Sequence, residues 1–156
     1  MSLEKMSGPD WDALFYPGSI AVIGASEDKR KPGGIVLGNL LAGGFNGAVY
    51  PVNPKYRELG GWSCFPGIDS VPGPVDLAVI SVKSPQVLTT LKECAARGVK
   101  AAIIFSSGFG EVDEAGSELQ QEIRKVAARS GMRLCGPNTM GNQLSASHAC
   151  KFCVWL

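Results

Sequence analysis

Runs of apolar residues separated by amphipathic stretches set the plan of this 156-residue chain. The first run, Ser19-Ile20-Ala21-Val22-Ile23, is β-branched and short, and it stops at Gly24. Similar runs at 48–52, 76–82, 100–105 and 133–135 predict four further strands. Between them the apolar period changes from two to about 3.6. Val87, Leu91, Cys94 and Ala95 recur at the spacing of one helical face, which predicts a helix over 84–97 ended by Gly98. Two more helices follow from the same signals, over 34–42 before Gly43-Gly44 and over 115–130 before Gly131. A short lead-in helix over 7–15, ahead of Pro17, would place Trp11, Leu14 and Phe15 along one side. Residues 56–75 carry Gly60-Gly61, Pro66, Pro72 and Pro74, so only short elements fit there, among them a strand over 63–65.

Strands that are apolar throughout and alternate with helices bury both faces, which is the signature of a parallel sheet between helical layers. Right-handed crossovers then give an α/β fold, a Rossmann-like doubly wound parallel sheet in a single domain, with ligands at the carboxyl edge of the strands. The loops 24–34, 53–55, 83–85 and 106–111 meet at that edge, with 136–141 nearby. No repeat or low-complexity segment interrupts this order.

Composition narrows the function classes. At 45% hydrophobic residues the chain supports one core and is too short for two ordinary domains. Fifteen Lys and Arg against fourteen Asp and Glu leave a net charge of +1, which argues against a broad basic face for nucleic acid. No apolar run reaches the roughly 20 residues that span a bilayer, and residues 1–10 lack a signal peptide's apolar centre, so no membrane role is expected and the chain reads as soluble and cytoplasmic. An odd count of five cysteines without an export signal predicts reduced thiols, with Cys64, Cys94 and Cys135 as small buried apolar groups. His148, Cys150 and Cys153 lack a second pair of ligands, so no metal site is expected. Residues 144–156 read as a poorly ordered tail behind a domain spanning 1–143.

Candidate chemistry gathers after the first strand. Gly24 lets a ligand approach the backbone, Ser26 offers a hydroxyl, and Lys29, Arg30 and Lys31 precede Pro32 and Gly33 at the positive end of the next helix. This combination suits a phosphate. A dinucleotide fits less well, because Gly24-Ala25-Ser26-Glu27 is not a Gly-x-Gly-x-x-Gly turn and the second strand ends at Asn53 rather than at an acid. Lys55, just beyond it, suits a phosphate better than a ribose diol; an NADP-binding redox domain stays open on that ground. Ser106-Ser107-Gly108 is a second strand-end loop of the ligand-binding kind, whereas Glu111 at a helix start reads as a complement to the dipole.

Five segments together carry a resemblance: 17–26, Tyr50-Pro51-Val52-Asn53-Pro54-Lys55, Asp76-Leu77-Ala78-Val79-Ile80, 106–111 and Gly136-Pro137-Asn138-Thr139-Met140-Gly141. In order and position they resemble the N-terminal CoA-binding domain of NDP-forming acyl-CoA synthetases, related to the succinyl-CoA synthetase α subunit and found also at the start of some bacterial protein lysine acetyltransferases. The resemblance covers about residues 10–143. It implies CoA or acyl-CoA as the ligand, with residues 26–33 holding CoA phosphates, Lys55 contacting CoA, and Val82, Lys83, Ser84 and Pro85 bordering the adenine and pantetheine. It further implies that Phe105, Ser106 and Ser107 flank the pantetheine arm and that Asn138 faces the thioester end. Phosphate transfer in that family runs through a histidine of a second domain. His148 lies outside every matched segment, so no catalytic residue is expected in this chain. The implied partners are the remaining synthetase or acetyltransferase domains or subunits, with a homo-oligomer allowed. The alternative is a stand-alone CoA-binding sensor or acetyltransferase regulatory module.

Overall fold

A computed structural model describes residues 11–106 and 114–137, and the backbone of Asn142–Leu144 and Cys150–Phe152. After the short helix α1 (Asp12–Phe15) come β1 (Ser19–Ile23), α2 (Pro32–Ala42) and β2 (Ala48–Val52). A small hairpin, β3 (Glu58–Leu59) and β4 (Trp62–Ser63), leads through a helical turn at Ile68–Ser70 to β5 (Leu77–Ile80). Then follow α3 (Ser84–Ala96), β6 (Ala101–Ile104), α4 (Glu114–Ser130) and β7 (Arg133–Cys135). The strand β8 (Asn142–Leu144) ends on the first residue of the 144–156 stretch expected to be a poorly ordered tail and pairs antiparallel with β9 (Cys150–Phe152) inside it; the rest of that stretch lies outside the described residues.

The main sheet has the order β2-β1-β5-β6-β7 with every pairing parallel. β1, β5 and β6 are buried along their whole length because helical layers cover both faces, as their unbroken apolar sequences require. One layer packs Leu14 of α1 and Val36, Leu37 and Leu40 of α2 on Ile20, Val22, Leu77 and Ile103. The other packs Val87, Leu91 and Cys94 of α3 and Ile123 of α4 on Ile23, Ala78, Ile80 and Ile104. Leu91 is fully buried, and removing such a side chain from water contributes about 1.5–3 kcal/mol.

Several expected boundaries move for identifiable reasons. α2 starts at Pro32 rather than at 34, because proline satisfies the first helical position and forces Lys31 before it to be extended (φ −90°, ψ 145°). β5 stops at Ile80, so Ser81 and Val82 belong to the loop, and Phe105 likewise follows β6. The strand expected over 63–65 splits. Trp62 and Ser63 pair with the unforeseen β3, while Phe65 bridges in parallel to Val52 on the outer edge of β2. Around α1, Leu14 turns into the core with Ala13, while Trp11 and Phe15 are exposed with their rings 6.3 Å apart. Cys64 and Cys94 are buried as expected, whereas Cys135 on the edge strand β7 is half-buried. Among the described residues no helix is long and apolar enough to cross a membrane.

The amino edge of the sheet is tied by polar contacts. Asp76 accepts hydrogen bonds from the Gly18 amide at 2.9 Å and from Lys100 Nζ at 2.7 Å, and its own amide donates to Ser19 Oγ at 2.9 Å. Burial alone would push the Asp76 carboxyl up, but Lys100 and the two backbone contacts outweigh it and hold it below the usual carboxylate range. These groups lie at the end of the strands opposite to the site.

Candidate functional site

The chain leaves β1 to one side through β2 and returns past it to build β5, β6 and β7 on the other, so the order reverses between β1 and β5. At such a reversal the loops after the two central strands diverge and leave a crevice at their carboxyl ends. Here that crevice is a cleft of about 710 Å³. A second lobe of about 550 Å³ shares Ser81, Val82, Lys83 and Pro85 with it and extends to Pro32, Phe105 and Ser106. Together they form an elongated groove crossing the sheet edge.

Close backbone packing shapes its centre. Gly24 has φ +86°, and a Cβ there would lie 2.4 Å from the Ser81 carbonyl oxygen. A Cβ on Gly33 would lie 2.1 Å from the Gly24 carbonyl oxygen, and one on Gly34 equally close to that of Asp28. The first turn of α2 therefore sits directly on the loop after β1, as only residues without a side chain allow. Gly33 thus lies in the packing beneath the cleft and does not line it.

Asn53 ties the second strand to the same loop: its Nδ2 donates to the Ala25 carbonyl at 2.8 Å and its Oδ1 accepts from the Lys55 amide at 2.9 Å. The Ser106 hydroxyl donates to the Val82 carbonyl, joining the ends of β5 and β6. Ser26 is buried and its Oγ accepts from the Asp28 amide at 3.1 Å.

The cations expected here separate into two groups. Lys31, Lys55 and Lys83 line the larger lobe from three different loops, and none pairs with a carboxylate among the described residues. Arg30 does not join them. Its Nε and Nη2 fork onto both oxygens of Asp28, at 3.0 and 3.1 Å, while the Arg30 side chain is 91% exposed. That pairing holds the Asp28 carboxyl below its usual range and raises Arg30. Of the three consecutive cations, Lys31 alone lines the larger lobe, while Lys29 and Arg30 line neither lobe.

α2 and α3 both begin at the groove with a lysine at the N-cap, Lys31 and Lys83, a proline in the first turn and no side-chain cap. A cation there opposes the helix dipole, at a cost of about 0.3–1 kcal/mol each. The positive potential it concentrates suits an anion. Of the other expected residues, Gly24, Ser26, Val82 and Pro85 line the larger lobe, and Pro32, Ser84, Phe105 and Ser106 the smaller. Ser107, Gly108 and Asn138 lie outside the described residues, as does Glu111. The sequence reading misses Tyr56 and the polar stripe Gln86, Thr89, Thr90 and Glu93, which forms the α3 wall of the larger lobe. Its i, i+3, i+4, i+7 spacing was legible, but such a stripe resembles any solvated helix face until the cleft beside it is known. Among the described residues no cluster of His, Cys, Asp and Glu is built to hold a metal ion.

Residues 18–145 match the CoA binding domain family. The chain belongs to that family. It is 44% identical over 133 residues to the acetate–CoA ligase (ADP-forming) II of Archaeoglobus fulgidus, covering 85% of this chain and 20% of that protein. It is 43% identical over 130 residues to the acetate–CoA ligase (ADP-forming) II subunit alpha of Pyrococcus furiosus, covering 83% and 28%. The dinucleotide forming acetyl-coenzyme A synthetase 1 of Ca. Korarchaeum cryptofilum, solved with phosphate and ADP, superposes with a TM-score of 0.83 at 46% identity, over 90% of this chain and 30% of that one. The CoA-binding domain therefore matches one portion of ADP-forming acyl-CoA synthetases, and the chain spans only about a fifth to three tenths of these relatives.

Proposed function

We propose that this domain binds CoA in the groove between β1 and β5, and that it is the CoA-binding part of an ADP-forming acyl-CoA synthetase. One observation carries the reading: three lysines from separate loops, none in an ion pair with a carboxylate among the described residues, line one cleft at the sheet reversal, where two helices begin without a side-chain cap. CoA carries a pyrophosphate and a 3′-phosphate on one nucleotide, so it needs several cations approaching from different directions. Lys31, Lys55 and Lys83 neutralise these phosphates, and the Gly24 to Ser26 backbone lies against them. The apolar walls given by Val82, Pro85 and Phe105 receive the pantetheine arm in the smaller lobe, leaving the thiol beyond Ser106. This chain contributes binding and orientation. The acid-thiol ligation, with the thiol attacking an acyl phosphate made elsewhere, falls to the parts of a synthetase that this chain does not match.

Titration calorimetry of the purified chain tests the reading, with CoA, dephospho-CoA and NADP, and with Lys31→Ala and Lys55→Ala. Micromolar CoA binding is expected, weakened about tenfold or more by loss of the 3′-phosphate or of either lysine, since a charge-assisted contact contributes about 1.5–3 kcal/mol. NADP binding without CoA binding would overturn it in favour of a redox domain.

A further inference from the structure

The two helical layers show different faces to solvent. On one, α3 and α4 leave Lys92, Glu93, Glu118, Glu122, Arg124 and Arg129 exposed, as solvated helix faces do. On the other lie α1 and α2. Every large apolar side chain that is exposed among the described residues belongs to α2 or to α1 and the residues flanking it. α2 is the extreme case, for its eleven residues Pro32–Ala42 include no charge. Val36, Leu37 and Leu40 pack on the sheet, while Ile35 and Leu41 on other sides of the helix are 45% and 51% exposed. A helix that is apolar all round is ordinarily covered all round. β8 runs beside α2 without closing over Ile35 and Leu41.

Charge and symmetry point to what covers this face. α2 has no acid in its first turn and no base in its last, so neither end of its dipole has a charged complement within the helix. A second helix laid antiparallel supplies one, because its negative carboxyl end lies beside the positive amino end of the first. Ile35 and Leu41 stand three residues to either side of Gly38, about 4.5 Å along the axis. A two-fold axis crossing α2 at Gly38 therefore sets Ile35 of each copy level with Leu41 of the other. Gly38 at the crossing is bare: a Cβ there meets nothing among the described residues within 4 Å, so two backbones can approach closely. Identical faces without charge do not repel, and at a net charge of +1 the whole molecules scarcely do.

We infer that the outer face of α2 is an isologous docking surface and that its partner is α2 of a second copy of this chain. Eleven residues give a helix about 16 Å long, so the contact falls below the standard 800 Å² or so per partner and the dimer is weak, with a Kd of about 10–100 μM. Ile35, Gly38 and Leu41 line neither lobe of the groove, so this pairing stands or falls independently of CoA binding.

Sedimentation velocity of the whole chain without ligand, from about 5 to 500 μM, tests the pairing across the expected Kd. The wild type should pass from monomer to dimer over that range. Ile35→Glu and Leu41→Lys should each weaken association about tenfold or more, by placing an unpaired charge in the contact, with circular dichroism unchanged because both positions are exposed. Mixing the two variants in equal amounts should restore a heterodimer, since one Ile35–Leu41 layer stays apolar and the other receives opposite charges. Gly38→Leu should weaken the dimer while the monomer stays folded. A wild type that remains monomeric throughout, a dimer that Ile35→Glu and Leu41→Lys leave intact, or a mixture that stays monomeric overturns the inference.

Discussion

Two glycines on one helix give opposite expectations when each is replaced by alanine. Gly33 and Gly38 both lie in α2, but a Cβ at Gly33 would stand 2.1 Å from the Gly24 carbonyl oxygen and 3.0 Å from Ser81 Oγ, whereas a Cβ at Gly38 meets nothing within 4 Å. Reaching the 3.4 Å where ordinary contact begins requires the helix and the β1 loop to part by 1.3 Å, the difference between 3.4 and 2.1 Å. Overpacking costs about 1–3 kcal/mol and a clash this deep against backbone stands at the upper end, about 2–3 kcal/mol, of which the helix propensity gained by alanine returns about 1 kcal/mol. Gly33→Ala should therefore lose about 1–2 kcal/mol and lower Tm by about 3–6 °C for a domain of this size. Gly38→Ala should gain about 0.5–1 kcal/mol. Thermal unfolding followed by circular dichroism checks the pair. CoA titration adds a second readout, because separating α2 from the loop displaces Lys31 and Pro32. If Gly33→Ala stabilises as Gly38→Ala does, or leaves CoA affinity unchanged, the close approach between α2 and the β1 loop does not shape the site.

Three further outcomes follow from the same structure. Lys31→Ala should raise the stability of the ligand-free chain by about 0.3–1 kcal/mol while weakening CoA, since it removes a cation from the positive end of α2; urea unfolding with and without CoA separates the two effects. Because the folded-state Asp76 carboxyl lies below its ordinary value, its contribution is fully present above about pH 4 and is lost as pH falls through the lower folded value. Asp76→Asn should accordingly be less stable than wild type at pH 7, with the gap closing under acid, as urea midpoints between pH 7 and 2 would reveal. Alkylation mapped peptide by peptide should label half-buried Cys135 before Cys64, while Cys94, buried and pushed up to about 12, should react only as fast as the chain unfolds.

The order of elements and the side of the sheet that binds were legible in the sequence, because apolar period and glycine or proline punctuation are local signals. Ser19–Ile23 and Ala48–Val52 emerge with the residues assigned to them, and a parallel sheet with its ligand edge at the carboxyl ends follows from alternating strands and helices. Lys55 and Lys83 could be singled out because each stands just past a strand end, and Lys31 because it stands in the loop between the first strand and the next helix. What the sequence alone could not determine was partnership across the fold. That Arg30 pairs with Asp28 depends on a side-chain rotamer, and that Gly33 packs against the loop after β1 depends on where Gly24 lies in space. The Gln86 to Glu93 stripe becomes a wall of the cleft only when the sheet order brings the β2 loop opposite α3. Periodicity records which face of an element is polar. Only tertiary packing decides whether that face meets bulk water or an enclosed groove.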